Sequence, residues 1–286
     1  VPHIDQMGID DEDSVSLEEK QAAPTEGDIR IAVIQTPKIS NFTDFDALAH
    51  EKDVALYYVK SVEDLGEPDV IMLPGSKNTT EDMLYLRKSG LGEKILAHAK
   101  AGKAVIGICG GYQMLGEVIR DPQHTESQND EAAGLGLLGM ETVFASEKLT
   151  SQVVAQCQDL HFMGQSISAD NLQGYEIHMG HTTFTREADK HPFTVCQRRG
   201  KTCASQEGIA NAAGNVFGTY IHGVFDNDVF RRSVLNALRH SKGLEALANT
   251  RNVMAEKQKA YEHLADVVEN ALDMEKLYQI MGEKTC

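Results

Sequence analysis

One of the five cysteines, Cys109, is flanked by glycines at the spacing of a nucleophile turn. The segment Gly107-Ile-Cys-Gly-Gly111 has the form G-x-C-x-G and lies between a strand pattern and a helix pattern. A sharp strand-to-helix turn strains the nucleophile's backbone, and side chains two residues away on either side would collide with neighbouring elements. The turn lifts the sulfur above the carboxyl edge of the sheet, where the helix N-terminus favours a thiolate. We therefore predict a nucleophilic cysteine rather than a small core residue.

A thiolate nucleophile needs a group that takes and returns a proton, and this group is usually histidine. His222 ends a short apolar run and is followed by Gly223, so its imidazole is expected to face a cleft. The alternative is a buried, hydrogen-bonded histidine. The N–H of Gly110, directly after the cysteine, is one predicted half of an oxyanion hole. The turn around Gly75, after another strand, is the expected source of the other half, although a Pro-Gly turn is often only structural.

Two further polar residues, Glu176 and His178, are two apart on a predicted strand and therefore share a face. They are candidates for lining the site, or they pair with each other. His178 and His181, together with Cys157 and His161, superficially suggest a zinc site. The spacing matches no common zinc module, so we predict no metal.

Other motifs fail on their context. Gly134-Leu-Gly-Leu-Leu-Gly139 matches a dinucleotide fingerprint, but it follows a polar loop and leads into a strand pattern, so NAD binding is not expected. The chain carries no P-loop motif. The pairs Arg198-Arg199 and Arg231-Arg232 are expected to be solvated.

The composition is that of an ordinary globular protein, 286 residues long with a formal net charge of −16. This charge argues against nucleic acid and anionic membranes as partners. The odd number of scattered cysteines favours a reducing, cytoplasmic location. Residues 1–28 contain nine acidic residues and one lysine, and we interpret them as an acidic linker, the remnant of a missing N-terminal domain.

From residue 29 onward, strand and helix patterns alternate, which predicts βαβ units and an α/β fold with a mostly parallel central sheet flanked by helices. The predicted domain spans residues 29–241, and residues 242–286 form a C-terminal helical extension. Residues 121–133 are expected to be a surface loop, and residues 140–225 strands that continue or flank the same sheet. The predicted strands are 29–34, 54–59, 69–73 and 104–108, and the predicted helices are 43–52 with Thr43 as N-cap, 79–100, 112–119, 226–241 and 244–282.

Taken together and in order, these segments resemble class I (triad-type) glutamine amidotransferase domains, and more closely the C-terminal part of the cobyric acid synthase family. The resemblance covers residues 29–226 and continues weakly in the C-terminal helices around residues 264–274, while residues 1–19 resemble the end of the family's synthetase domain. The matching segments are Ile31-Ala-Val-Ile-Gln-Thr-Pro37, Asn41-Phe-Thr-Asp-Phe45, Leu73-Pro-Gly-Ser-Lys-Asn-Thr79, Gly107-Ile-Cys-Gly-Gly-Tyr-Gln-Met-Leu-Gly116, Gly134-Leu-Gly-Leu-Leu138, Gly174-Tyr-Glu-Ile-His178 and Tyr220-Ile-His222.

The resemblance implies a flavodoxin-like fold and a catalytic role for Cys109, which attacks the amide of glutamine to form a thioester. It implies that His222 protonates the leaving ammonia, that N–H groups of Gly75 or Ser76 and of Gly110 hold the oxyanion, and that Gln113 contacts the substrate. It implies no cofactor here, ATP and Mg²⁺ in the missing N-terminal synthetase domain, and a corrinoid acceptor, adenosylcobyrinic acid a,c-diamide, reached through that domain.

One departure concerns the orientation of the imidazole. Most triad amidotransferases have a glutamate two residues after the histidine, where this chain has Val224, as the resembled group also lacks it. We name Glu176 as the candidate partner of His222, and the missing glutamate suggests weak free-standing glutaminase activity. The alternatives are the glutaminase of another ligase, such as cobyrinate diamide synthase or a cell-wall amidating enzyme, and a catalytically silent docking module.

Overall fold

The computed structural model describes Pro2 and residues 27–282. The predicted linker, residues 1–28, therefore lies outside the described residues except for Pro2, Gly27 and Asp28. The strands are β1 (Ile29–Ile34), β2 (Ile39–Ser40), β3 (Val54–Val59), β4 (Val70–Leu73), β5 (Gly75–Ser76), β6 (Ala104–Ile108), β7 (Val118–Arg120), β8 (Glu131–Ala133), β9 (Met140–Phe162), β10 (Gln165–Phe184), β11 (Phe193–Arg198), β12 (Lys201–Glu207), β13 (Ile209–Ala210), β14 (Val216–Thr219) and β15 (Ile221–His222). The helices are α1 (Asp46–Ala49), α2 (Thr79–Lys88), α3 (Leu91–Lys100), α4 (Gly110–Leu115), α5 (Asp228–Ser241), α6 (Val253–Ala271) and α7 (Met274–Met281).

A mostly parallel sheet forms the centre of the fold, as predicted. Its strands lie in the order β13-β14-β6-β4-β1-β3, and only β13 is antiparallel to its neighbour. Numbered along the chain, the parallel strands run 2-1-3-4-5, which is the flavodoxin-like order. Strands β4 and β6 are buried along their whole length, which explains their continuous apolar sequences. The carboxyl ends of β1, β4, β6 and β14 meet at one edge.

The region 140–225 only partly follows the prediction that it continues the same sheet. Most of its strands form a second, largely antiparallel sheet in the order β12-β11-β9-β10-β15, to which β7 and β8 are attached. Only β13 and β14 join the parallel sheet. The short ladder between β2 and β5 stands apart from both sheets. Strand-like composition thus predicted the strands, but not the partners with which they pair.

Several predicted helix boundaries need correction. The region 79–100 is two helices, because Gly90 has a left-handed φ of 79° and begins α3. Thr43 is not an N-cap: a 3-10 turn over Phe42–Phe45 is preceded by Asn41, and no side chain caps it. The helix predicted over 112–119 is α4, and the chain enters β7 directly after it. Residues 244–252 contain no helix.

The described residues divide into two compact units, 27–249 and 250–282. The first contains both large sheets together with α1 to α5, and the second contains α6 and α7. The division falls a few residues after the boundary predicted at 241/242. Within residues 27–282, no helix combines the length and the apolar composition that a membrane crossing requires.

The arginines of α5 are buried, so the prediction that Arg231 and Arg232 are solvated is wrong. The guanidinium of Arg231 is completely buried and donates to Glu51 at 2.7 Å and to Asp228 at 2.8 Å. Arg232 donates to both oxygens of Asp53 at 3.0 Å and also pairs with Glu51. These ion pairs fasten α5 to the turn that precedes β3.

We expect Arg231→Met to lower the free energy of unfolding by about 3–5 kcal/mol, because it leaves Glu51 buried with one of its charged partners missing. Lys242→Met is the matched control: Lys242 is partly exposed in its pair with Asp69, and its loss should cost at most about 1 kcal/mol. Urea denaturation of both variants measures the difference. Equal costs for the two variants would contradict a structural role for the buried network.

Candidate active site

Cys109 occupies the strained turn between β6 and α4, with φ 51° and ψ −111°. A Cβ at Gly107 would lie 2.8 Å from the backbone of Gly111, and a Cβ at Gly111 would lie 2.0 Å from the carbonyl oxygen of Leu73. Contacts this short exclude any side chain, so the turn requires glycine at both positions. The sulfur lies 3.4 Å from the carbonyl oxygen of Ile177 and is mostly buried.

His222 ends β15, and its imidazole is completely buried. β15 pairs with β10 opposite Tyr175, whose ring stacks on the imidazole with 4.9 Å between ring centroids. The Nδ1 atom of His222 lies 2.7 Å from Oδ2 of Asp44, and Oδ1 of Asp44 accepts the N–H of Gly223 at 2.8 Å. One carboxylate therefore fixes both the ring and the backbone that follows it.

Opposing effects set the pKa of His222. Burial lowers it, but the charge and hydrogen bond of Asp44, together with the neighbouring sulfur of Cys109, raise it to about 10. An ionised carboxylate can only accept hydrogen bonds, so Nδ1 carries the proton that faces Asp44. The other nitrogen, Nε2, is buried and makes no hydrogen bond of regular geometry within residues 27–282. Nε2 is thus the ring atom available for proton exchange beside the sulfur.

The turn after β4 lies beside both of these residues. A Cβ on Gly110 would lie 2.8 Å from the backbone nitrogen of Ser76, and a Cβ on Gly75 would lie 3.4 Å from Cε1 of His222. The first N–H groups of a helix have no acceptor within that helix, so the N–H of Gly110 is not used by α4. The hydroxyl of Ser76 donates to Asp82 at 2.6 Å, which turns this side chain away from the sulfur. Backbone amides, not side chains, are therefore the donors that this turn offers beside Cys109.

Gln113 lies in the same region, but its amide is engaged by the protein. Its Nε2 donates to the carbonyl oxygen of Met179 and to the hydroxyl of Tyr220, both at 3.1 Å. Its Oε1 accepts the hydroxyl of Thr79 at 3.2 Å. Through Met179, Gln113 connects α4 to the second sheet. Since both N–H groups of its amide already have acceptors, no amide donor is free for a ligand.

Glu176 does not contact the imidazole, which corrects its assignment as the partner of His222. Its buried carboxylate accepts hydrogen bonds from Arg198 through both oxygens, at 2.9 and 3.0 Å. The same ion pair means that Arg198 is not simply solvated. Because neighbouring residues of a strand face opposite sides, the stacking of Tyr175 on His222 directs Glu176 to the other face of β10.

His178 stacks on Tyr220 with 3.8 Å between ring centroids, and burial lowers its pKa to about 4. The neutral ring lies in the wall of the cavity described below. Among the residues that the structure describes, no three histidine, cysteine or acidic side chains are grouped closely enough to hold a metal ion.

A cavity of about 500 Å³ opens beside Cys109, which is ample for an amino acid. The segment 121–133, predicted to be a surface loop, contributes part of its wall. The lining includes Ser76, Thr79, Gln113, Glu126, Lys148 and His178.

Asp44 is the site residue that the sequence did not reveal. Nothing in the composition of its segment points to an imidazole 178 residues away. The available signal is positional, because Asp44 follows β1, and the carboxyl end of β1 lies at the same sheet edge as those of β4 and β6.

Comparison with known proteins gives a consistent result. The family described as "CobB/CobQ-like glutamine amidotransferase domain" matches residues 30–230. Cobyric acid synthase of Clostridium tetani (strain Massachusetts / E88) is 45% identical over 282 residues, and that of Dehalococcoides mccartyi (strain CBDB1) is 42% identical over 284 residues. Each comparison covers 99% of this chain but only 54% and 55% of the relative, respectively. The chain thus spans about half the length of the curated relatives it matches.

Among solved structures, a chain of PurLQS from Thermotoga maritima matches with a TM-score of 0.51 and 17% identity. The match covers 81% of this chain and 98% of the other. At this identity, the likeness concerns the fold alone, and it agrees with the α/β class and the parallel sheet.

We expect Asp44→Asn to lower the pKa of His222 from about 10 to near or below its ordinary value of about 6.5, because burial then acts without the opposing carboxylate. The rate at which a glutamine-analogue electrophile labels Cys109 at pH 7 should fall at least about a hundredfold, since the imidazole loses its orientation. An NMR titration of His222 and labelling followed by mass spectrometry measure the two effects.

Asp64→Asn is the control for this variant, since it removes an exposed carboxylate that is bonded to Ser61. It should change neither the pKa nor the labelling rate. An unchanged His222 pKa in Asp44→Asn would show that the carboxylate does not control the imidazole.

Proposed function

The chain belongs to the family of CobB/CobQ-like glutamine amidotransferase domains, and we propose that it hydrolyses glutamine with Cys109 as nucleophile and His222 as acid–base partner. One observation carries this proposal. A cysteine in a strained strand-to-helix turn lines a cavity, and a buried imidazole held by Asp44 interacts with that cysteine. Nucleophile, base and orienting acid then follow the general logic of a catalytic triad.

In the first step, the sulfur of Cys109 attacks the side-chain carbonyl carbon of glutamine, and any proton it carries passes to Nε2 of His222. The raised pKa of His222 favours an imidazolium at neutral pH, and its positive charge stabilises a sulfur anion. Asp44 accepts the hydrogen bond of Nδ1–H throughout, so Nε2 stays directed at the reacting atoms.

The tetrahedral intermediate carries a negative oxygen, for which we propose the amides of Gly110 and Ser76 as donors. Their adjacency, and the absence of a side chain on Gly110, support this assignment. The N–H of Gly75 is the alternative to that of Ser76. Such donors act without reorganisation, since β5 and α4 hold the amides in place before the substrate arrives.

Collapse of the intermediate breaks the bond between carbon and nitrogen. His222 donates its Nε2 proton to the leaving nitrogen, which departs as ammonia and leaves a γ-glutamyl thioester on Cys109. The now neutral imidazole takes a proton from water, and the resulting hydroxide attacks the thioester. Glutamate leaves, and the proton returns to the sulfur or remains on His222.

For the complete protein, we propose the activity that the names of its relatives state, that of a cobyric acid synthase. The ammonia would then pass to an ATP- and Mg²⁺-dependent synthetase domain that amidates carboxylates of a corrinoid, adenosylcobyrinic acid a,c-diamide. The identity of 45% and 42% to two proteins of that name supports this acceptor over the cell-wall alternative.

We propose the corresponding organisation of the chain. Residues 1–28 are an acidic linker to the synthetase domain, residues 29–241 the amidotransferase domain, and residues 242–286 a helical extension. The family match over residues 30–230 supports the central assignment. The cytoplasm is the compartment proposed for this chemistry, because the thiol must remain reduced.

We expect Cys109→Ser to abolish ammonia release from glutamine, with a loss of at least about a thousandfold, because the nucleophile is removed. Cys196→Ser, which replaces a partly exposed thiol on β11, is the matched control and should keep the activity. The activity is measured as ammonia, with and without the synthetase domain, ATP and the corrinoid.

Labelling by 6-diazo-5-oxo-L-norleucine provides a second test that does not depend on activation by the synthetase. The wild-type chain should be modified at position 109 alone. Ammonia release that persists in Cys109→Ser would refute the assignment of the nucleophile. If the wild-type sulfur does not react with the glutamine analogue, the result would favour a catalytically silent docking module.

A further inference from the structure

The cavity beside Cys109 contains three charged side chains without an ionic partner in the described part of the chain. Glu126, Lys77 and Lys148 all line it, and none of them forms an ion pair with residues 27–282. In Glu126, Oε2 accepts the N–H of Thr79 at 3.0 Å. The hydroxyl of Thr79 also interacts with this carboxylate. The other oxygen, Oε1, accepts no hydrogen bond of regular geometry from these residues and is not fully buried. One carboxylate oxygen is therefore open to a ligand.

The loop that carries Glu126 is fixed by its own hydrogen bonds. The buried carboxylate of Asp121 accepts the N–H groups of Thr125, Glu126 and Ser127 at 2.7, 2.8 and 2.9 Å. Burial alone would raise the pKa of Asp121, but these amides lower it below its ordinary range. Asn78 also donates to the carbonyl oxygen of Glu126 at 2.5 Å. The amides of the loop thus stabilise the charge of Asp121, and the same loop holds Glu126 at the wall of the cavity.

In space, Thr79 lies between Glu126 and the turn that carries Cys109. The hydroxyl oxygen of Thr79 lies 3.1 Å from the position of a Cβ on Gly110, the neighbour of Cys109. The side-chain carbonyl carbon and the α-carbon of glutamine are three bonds apart, about 4 Å when extended. A glutamine whose amide meets the sulfur is therefore long enough to place its α-substituents at this wall.

We infer that Glu126 binds the α-ammonium group of the substrate glutamine, and that Lys77 and Lys148 face its α-carboxylate. This inference rests on the proposed function. One anionic and two cationic side chains around a cavity complement a zwitterion, and charge-assisted hydrogen bonds to the ammonium give it direction. The site would then select free amino acids and reject simple amides with the same reacting group.

A purely structural role for Glu126, as a cap of α2, explains less. The side chain of Asn78 already caps this helix by accepting the N–H of Glu81 at 3.0 Å. A cap also uses only Oε2 and leaves Oε1 without a function. Burial raises the pKa of Glu126 to about 7, as expected for a carboxylate whose charge is incompletely compensated. A bound ammonium would supply the missing compensation.

The test compares two electrophiles that differ only in the α-amino group. These are 6-diazo-5-oxo-L-norleucine and 6-diazo-5-oxohexanoate, and the measured quantity is the second-order rate of Cys109 labelling in the whole chain. Glu126→Gln should slow labelling by the amino compound at least about tenfold, the usual effect of one hydrogen bond to a charged group. Labelling by the compound without the amino group should change less than about twofold.

Glu131→Gln is the matched control, since it removes an exposed carboxylate from the neighbouring strand β8 and does not line the cavity. It should leave both rates unchanged. If Glu126→Gln slows labelling by both electrophiles equally, or slows labelling by neither, the inference about Glu126 is overturned. The proposal that the chain hydrolyses glutamine would not be affected by either result. If the wild-type sulfur reacts with neither compound, the proposed function itself fails.

Discussion

The position of Cys109, the proposed nucleophile, depends on how closely α4 packs on the ends of the central strands. A Cβ on Gly111 would approach the carbonyl oxygen of Leu73 to 2.0 Å, and a Cβ on Gly218 would approach the ring of Tyr112 to 2.3 Å. β4, β6 and β14 are thus locked to the first turn of the helix by backbone contact. A turn enclosed in this way has one conformation, and it holds Cys109 at a positive φ that an isolated chain would rarely adopt. Close packing of these elements therefore fixes the position of the sulfur.

The imidazole of His222 is polar and completely buried, so it needs a polar partner inside the protein. An isolated charge at this depth would be unstable, and the carboxylate of Asp44 makes the charged form of His222 tolerable. Asp44 is in turn satisfied by the N–H of Gly223. The pair is assembled from the chain beyond β1 and the chain beyond β14, so it exists only when the parallel sheet is complete. The contact between Asp44 and His222 therefore requires the strands from β1 to β14 to be in place.

The sequence was sufficient where the determining contacts are local. Apolar strand runs and the glycines around Cys109 depend on their immediate surroundings, and they predicted the parallel sheet and the strained turn at Cys109. Asp44 and Arg231 could not be found in this way, because their partners are about 180 residues away. In the sequence, Asp44 stands before a short apolar helix and Arg231 lies on an amphipathic helix, which are common positions for solvated residues. Only the folded structure shows that each has a buried partner of opposite charge.

The loop from residue 121 to 130 shows why polar composition is an ambiguous signal. The same acids, amides and hydroxyls occur in a solvated loop and in one whose polar groups satisfy each other. Asp121, with amide donors at 2.7–2.9 Å, belongs to the second kind, and composition contains no information about this geometry. Once the internal bonds are counted, Glu126 is left with an open oxygen beside the cavity. The N–H groups of Thr125, Glu126 and Ser127 and the hydroxyl of Ser127 are bonded within the protein, whereas Oε1 of Glu126 is left for the ligand group that we propose.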